Sequence, residues 1–148
     1  MTDSFPHDMN DVGDIIRSTP AGELLVDSYE RVVGTPEEQG YSELVLYACS
    51  DTQARLECYE DGGLDSERMT ACLVPISAVY DAYAAIIAAG MDGWAQRRDA
   101  VALCGMRYVC KFRAMDGAYT RVSSEQMPED GAEAFRAVRA AIYRYMQA

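Results

Sequence analysis

Residues 107–148 constrain the fold most, because they predict a β-hairpin followed directly by an amphipathic helix. The first strand alternates apolar residues with mostly cationic ones, which is the period-two pattern of a strand with one buried face. The apolar set is Tyr108, Cys110 and Phe112, and the opposite set is Arg107, Val109, Lys111 and Arg113. A turn at residues 115–117 then leads to a second strand over residues 119–123.

Two registers of this hairpin are compatible with the turn. A two-residue loop would place Arg121 opposite Phe112 on the buried face. A three-residue loop instead pairs Phe112 with Thr120 and leaves Lys111 beside Arg121 on the solvated face. We favour the second register, because a solvated like-charge pair costs at most about 1 kcal/mol, whereas a buried unpaired arginine costs several. Gly117 also suits the left-handed position that three-residue loops require.

The end of the chain predicts a helix that starts after Met127 and Pro128, since proline is tolerated in a first helical turn. Acidic residues lie near its start and basic residues near its end, as the helix dipole favours. Its apolar residues recur at three- and four-residue spacing, so they share one face that covers the sheet. These residues are Ala132, Phe135, Val138, Ile142 and Met146.

The N-terminal part of the chain is less regular. Residues 1–10 are polar and predict a disordered tail. Residues 11–18 predict a short helix capped by Asp11. Residues 23–33 fit both a helical stripe and one side of a strand, and their leucine and charge content favours the helix.

The middle of the chain predicts a three-stranded meander followed by a helix. Turn residues and proline separate and end the strands. The strands cover residues 43–49, 55–60 and 68–74, and the helix covers Ser77–Ala89, with Gly90 as its C-terminal cap.

Together these elements predict an α+β domain over residues 11–148. Its order is helix, three strands, helix, two strands and helix, which gives an antiparallel sheet of about five strands with helices packed on it. At 148 residues, one domain is the expected number.

The middle helix has only one charged residue, Asp81, and is therefore apolar on two sides. One side is a row of small residues that would let another backbone approach closely. This alanine row consists of Ala78, Ala82, Ala85 and Ala89. We predict that it contacts a protein partner or a second copy of the chain.

The net charge of −11 is unevenly distributed. Residues 1–93 hold 18 acidic and 4 basic residues, while residues 94–148 hold 6 acidic and 9 basic ones. The acidity argues against nucleic-acid binding, because phosphates would be repelled. The cationic strip of the hairpin fits either a solvated sheet face or a contact surface for an acidic partner. This strip consists of Arg107, Lys111, Arg113 and Arg121.

The chain carries none of the familiar patterns for a cofactor, a metal ion or a catalytic group. Its single histidine, His7, lies in the predicted tail, and its single lysine, Lys111, does not follow a glycine-rich phosphate loop. The five cysteines form no Cys-x-x-Cys pair, so we predict reduced, mostly buried side chains. We therefore predict no cofactor, no metal and no catalytic residue, although an enzyme that uses two carboxylates stays open.

No apolar run approaches the about 18–20 residues of a membrane span. The first ten residues also lack the basic and apolar regions of a secretion signal. These features predict a cytoplasmic protein without a membrane partner.

The order of elements, the length and the acidity resemble those of type III secretion chaperones, over nearly the whole chain. In that family the middle helix commonly forms a homodimer, and apolar patches bind an extended segment of a partner. The resemblance implies that Ser77–Ala89 is the dimer element, whereas function does not follow from fold alone.

We predict a non-enzymatic protein-binding or chaperone-like module that binds a protein partner or itself. The alternative is a small-ligand-binding domain, or a carboxylate-based enzyme, with a pocket between sheet and helices near Trp94 and Tyr83.

Overall fold

The computed structural model describes residues 4–33, 40–61, 68–94, 105–124, 128 and 131–147. Within these ranges the helices are α1 (Met9–Ser18), α2 (Ser77–Ala89), α3 (Met91–Trp94) and α4 (Gly131–Tyr143), which continues into a 3-10 turn (Arg144–Gln147). The strands are β1 (Leu24–Val33), β2 (Tyr41–Ala48), β3 (Gln53–Asp61), β4 (Arg68–Pro75), β5 (Gly105–Arg113) and β6 (Tyr119–Ser123).

All six strands pair in one antiparallel sheet, in the order β4-β3-β2-β1-β5-β6. The predicted α+β class is confirmed, with six strands in the described part of the chain where we expected about five. The chain adds β1 before the predicted meander, so four strands precede α2.

The core lies between one face of the sheet and the helices. Burying these apolar side chains is the main stabilising contribution of the fold. The largest buried side chains come from the strands (Leu25, Leu44, Leu46, Leu56 and Phe112) and from the helices (Val12, Ile15, Tyr83, Ile86, Met91, Phe135 and Ile142).

The prediction of a helix over residues 23–33 is wrong, because this segment is the inner strand β1. Its backbone pairs with both β2 and β5, which a helix could not do. A register irregularity between Leu24 and Val26 leaves Leu25 and Val26 both fully buried. Two consecutive buried residues interrupt the alternation that marks a strand, and so produced the helical pattern.

The C-terminal unit agrees with its prediction. Phe112 pairs with Thr120, and Lys111 pairs with Arg121 on the other face. Gly117 has a φ of 84°, as the three-residue loop requires. The middle helix also has its predicted bounds, and Gly90 adopts the left-handed conformation at its end.

The start of the chain differs from its prediction. Helix α1 begins at Met9, and the carboxylate of Asp8 accepts a hydrogen bond from the Asp11 backbone, so Asp8 replaces Asp11 as the cap. Phe5 is buried and lies edge-on against Phe112. Phe5 and Pro6 are thus buried within the segment that we predicted to be a tail, whereas His7 and Asp8 are exposed; residues 1–3 lie outside the described ranges.

Candidate interaction surfaces of the sheet

The two faces of the sheet differ in what covers them. The inner face, with residues such as Leu44, Leu56 and Cys110, forms one core cluster with the helices. In the part of the chain that the structure describes, no apolar residue of the outer face joins this cluster. The outer face is formed by Asp27, Tyr29, Arg31, Glu43, Val45, Tyr47, Arg55, Glu57, Tyr59, Met69, Ala71, Leu73, Arg107, Val109, Lys111, Arg113, Tyr119 and Arg121.

Strand β4 forms one edge of the sheet and pairs, among the described strands, with β3 alone. Its outer-face residues Met69 and Leu73 are each 54% exposed. Between Arg68 and Pro75 the strand has no charged residue. Proteins usually protect sheet edges by charge, short length or proline, because unpaired backbone groups attract another strand. This edge has such protection only at its two ends.

The opposite edge, β6, is better protected. It is five residues long and carries Arg121 in its centre. Tyr119 at its start is held by a hydrogen bond from its hydroxyl to the carbonyl of Leu24 (3.0 Å). Of the two edges, β4 is therefore the one suited to pairing with another strand.

Four cations come together on the outer face of β1, β5 and β6. Arg31 lies opposite Arg107, and Lys111 lies opposite Arg121. We call Arg31, Arg107, Lys111 and Arg121 the basic cluster. They line a cavity of about 440 Å³ together with Asp27, Tyr29, Glu43 and Val109.

The predicted cationic strip corresponds only in part to this cluster. Arg113 is separate, because its side chain is only 11% exposed and binds Glu23 (3.1 Å) and the hydroxyl of Tyr119 (3.2 Å). Sequence reasoning missed Arg31, since that residue lies on β1, which was predicted as a helix. The ammonium of Lys111 also lies 4.9 Å from the centre of the Tyr119 ring.

Two carboxyl groups, those of Asp27 and Glu43, lie beside the basic cluster and share a hydrogen bond. Burial raises the pKa of Asp27 to about 8, and the hydrogen bond and negative charge of Glu43 act in the same direction. Lys111 and Arg139 oppose this shift. One oxygen of Asp27, Oδ1, is buried without a hydrogen-bond partner. The arrangement favours a proton held between the two carboxyl groups at neutral pH.

A cleft at the end of the inner face is built around Arg139 of α4. Its guanidinium donates to the carbonyl of Ser28 (2.8 Å) and to the hydroxyl of Ser42 (2.7 Å). Its Nε lies 2.7 Å from a carboxylate oxygen of Glu30. These contacts hold α4 against β1 and β2, so Arg139 has a structural role.

The cavity beside Arg139 measures about 520 Å³. It is lined by residues of β2, β3, β4 and α4, whereas we predicted a pocket near Tyr83 and Trp94. Those two residues are buried core: the Tyr83 hydroxyl hydrogen bonds to the Arg113 carbonyl (2.7 Å), and Trp94 packs against Phe135. The cavity is lined by Tyr41, Ser42, Glu60, Asp61, Arg68, Arg139, Ala140 and Tyr143.

Packing within the chain buries two residues of the alanine row of α2 completely and the other two only in part. Ala78 and Ala82 are fully buried, and Ala85 and Ala89 are half-buried against the core. Only the second pair is therefore accessible in part to another molecule. Helix α4 packs against α2, which is what the small residues permit.

The cysteines whose side chains are described have reduced thiols. Cys58 and Cys110 are buried, whereas Cys49 is exposed and Cys72 is half-buried. Burial raises the pKa of Cys58 to about 11, so its thiol is protonated and unreactive at neutral pH. Cys104 lies outside the described ranges. Within those ranges, no three His, Cys, Asp or Glu side chains gather into a possible metal site.

Comparison with known proteins adds no functional assignment. No protein-family model matches the chain, and no curated protein matches its sequence. Across the residues that the structure describes, no helix has both the length and the apolar character needed to cross a membrane.

Proposed function

We propose that the chain is a non-enzymatic protein-binding module that pairs the edge of β4 with a strand from another polypeptide. The observation that carries this proposal is the exposure of Met69 and Leu73 on an edge strand that has no charge between its ends. Strand addition satisfies edge backbone groups with main-chain hydrogen bonds and lets alternate side chains provide specificity.

The occupant that fits this edge best is a second copy of β4. An antiparallel pair centred on Ala71 places Met69 of each chain opposite Leu73 of the other. The small central residue leaves room for the two larger ones, which would bury one another. Such a contact is isologous, because a two-fold axis relates identical surfaces.

This arrangement has a consequence for the outer face. Residues directly opposite each other in an antiparallel pair point to the same side of the sheet. The two sheets would therefore join into one, with both sets of helices on one side and both outer faces on the other. A dimer formed in this way places two basic clusters on a single continuous surface.

The resemblance to type III secretion chaperones predicts a dimer contact on α2 instead. Burial of Ala78 and Ala82 within the chain reduces the apolar area that α2 offers. The exposed apolar area on β4 favours that strand over the helix. A chaperone-like capture of an extended partner segment would use the same edge, in competition with the second copy.

Light scattering tests the proposal. The wild-type chain is expected to be a dimer at micromolar concentration, and Leu73→Lys is expected to be a folded monomer, because the lysine would put a charge opposite Met69. Tyr143→Lys is the matched control, since Tyr143 is a 44% exposed residue on α4. A wild-type monomer, or a Leu73→Lys dimer, contradicts the second copy as occupant. Loss of the dimer in Tyr143→Lys alone would assign the contact to α4.

A further inference from the structure

The cleft at the end of the inner face contains two side chains of opposite charge that do not pair with each other. Glu60 on β3 lies directly opposite Arg68 on β4, and both residues line the cavity of about 520 Å³. Directly opposed residues of an antiparallel pair point to the same side of the sheet. In the part of the chain that the structure describes, neither residue forms an ion pair. Both are exposed, so each is accessible to a ligand.

The other charged residues that line this cavity have partners within the chain. The guanidinium of Arg139 is held by a carboxylate and by groups of two serines. Asp61 has interactions of its own. The carboxylate of Glu60, by contrast, accepts only a long hydrogen bond from the Cys58 thiol (3.5 Å) among the described residues. Glu60 and Arg68 are therefore the two charged groups of the lining that are available to a ligand.

The arrangement of these two residues limits the shape of the ligand. Directly opposed side chains of an antiparallel pair have Cβ atoms about 4.5–5.5 Å apart. A ligand that contacts both Glu60 and Arg68 must therefore carry its cationic and its anionic group close together, as an amino acid does on a single carbon atom. Ala140 and Tyr143, one turn apart on α4, add an apolar and an aromatic surface to the same cavity. Its volume of about 520 Å³ is in the range of small-molecule pockets.

We propose that this cavity binds a free amino acid with a large apolar side chain. Glu60 binds the ammonium group of the ligand, and Arg68 binds its carboxylate. Arginine suits this role because its planar guanidinium recognises a carboxylate with two parallel hydrogen bonds. The side chain of the ligand packs against Tyr143, whose ring offers a large apolar surface.

Isothermal titration with three ligands of the same carbon skeleton tests the two charge contacts. Phenylalanine carries both charged groups, 3-phenylpropionate lacks the ammonium group, and 2-phenylethylamine lacks the carboxylate. Phenylalanine is expected to bind the wild-type chain about tenfold more tightly than either analogue, because each charge-assisted hydrogen bond contributes about 1.5–3 kcal/mol.

Two variants assign each charged group of the ligand to its residue. Glu60→Gln should lower the affinity for phenylalanine about tenfold and leave the affinity for 3-phenylpropionate unchanged. Arg68→Gln should lower the affinity for phenylalanine by a similar factor and leave that for 2-phenylethylamine unchanged. The controls are Glu133→Gln and Arg17→Gln, since both residues are exposed and neither lines the cavity. Circular dichroism establishes that each variant is folded.

Three results would overturn the assignment. The first is that phenylalanine does not bind the wild-type chain at millimolar concentration, or binds no more tightly than its two analogues. The second is that neither Glu60→Gln nor Arg68→Gln weakens the binding of phenylalanine. The third is an equal loss of binding in the two control variants. The pairing of β4 is tested separately, because a wild-type monomer that binds phenylalanine would contradict only that pairing, and a dimer that does not bind it would contradict only this site.

Discussion

Met69 and Leu73 lie on the same face of β4, two positions to either side of Ala71, and each is 54% exposed. When this strand is paired antiparallel with a second copy about Ala71, Met69 of each copy lies opposite Leu73 of the other, and the two Ala71 residues lie opposite each other. A solvated face would not require this symmetry. The relationship between these two side chains is the basis of the binding edge and the register that we propose.

The carboxyl pair should make stability depend on pH. The pKa of Asp27 is raised from 3.8 to about 8, so the folded chain binds more protons than the unfolded chain between these values. Stability from this group is present at low pH and is lost as the pH rises through about 8. Asp27→Asn keeps the shape without the charge. We expect the stability of this variant relative to the wild type to rise by about 1–3 kcal/mol between pH 5 and pH 8.

Urea denaturation at the two pH values measures this effect. Asp14→Asn is the control, because Asp14 is exposed and pairs with Arg17 on the surface of α1. Its difference from the wild type should be the same at both pH values. The raised pKa of Asp27 would be contradicted if the free energy of unfolding of Asp27→Asn differed from that of the wild type by the same amount at both pH values.

Arg139 should contribute more to stability than its neighbour Arg136 on α4. Arg139→Met removes hydrogen bonds to Ser28 and Ser42 and leaves Glu30 without its ion pair. The arginine side chain is only 12% exposed, so we expect a loss of about 2–3 kcal/mol. Arg136→Met should cost less than about 1 kcal/mol, because that residue is exposed. Equal losses in the two variants would mean that Arg139 does not fasten α4 to the sheet.

The hydroxyl of Tyr83 should link α2 to two strands. It hydrogen bonds to the carbonyl of Arg113 (2.7 Å) and lies 3.3 Å from that of Leu25. Tyr83→Phe preserves the buried ring and removes only this bond, so thermal denaturation should show a loss of about 1–2 kcal/mol. Tyr143→Phe, on the exposed side of α4, should change stability by less than about 0.5 kcal/mol. A Tyr83→Phe variant as stable as the wild type would contradict this role.

The elements that were predicted correctly are those that local pattern and burial determine. The register of β5 and β6 followed from the cost of burying Arg121, and the ends of α2 followed from its composition and from Gly90. The strand β1 was missed because its irregularity at Leu25 hides the alternation. Tertiary pairing on both sides then overrides local propensity.

The candidate surfaces were harder to predict, because they depend on strand order. The edge position of β4 becomes apparent only when β1 is placed beside β5 in the sheet. The same placement brings Arg31 to Arg107, 76 positions away along the chain. The sequence does show that the central residues of β4 lack charge. A buried inner strand has the same composition, so the sequence alone does not distinguish an exposed edge from a buried strand.

Cysteine cross-linking tests the pairing of β4 most directly. In a Cys49→Ser/Cys72→Ser/Cys104→Ser background, which leaves only the buried thiols of Cys58 and Cys110, Ala71→Cys should form an intermolecular disulfide under mild oxidation. Directly opposed residues of an antiparallel pair have Cα atoms about 4.5–5.5 Å apart, which suits a disulfide. Leu73→Cys in the same background should not cross-link, because its two copies would be about 13 Å apart along the strand. Covalent dimer from Ala71→Cys alone is the predicted result, and equal cross-linking of both variants, or none in Ala71→Cys, would contradict it.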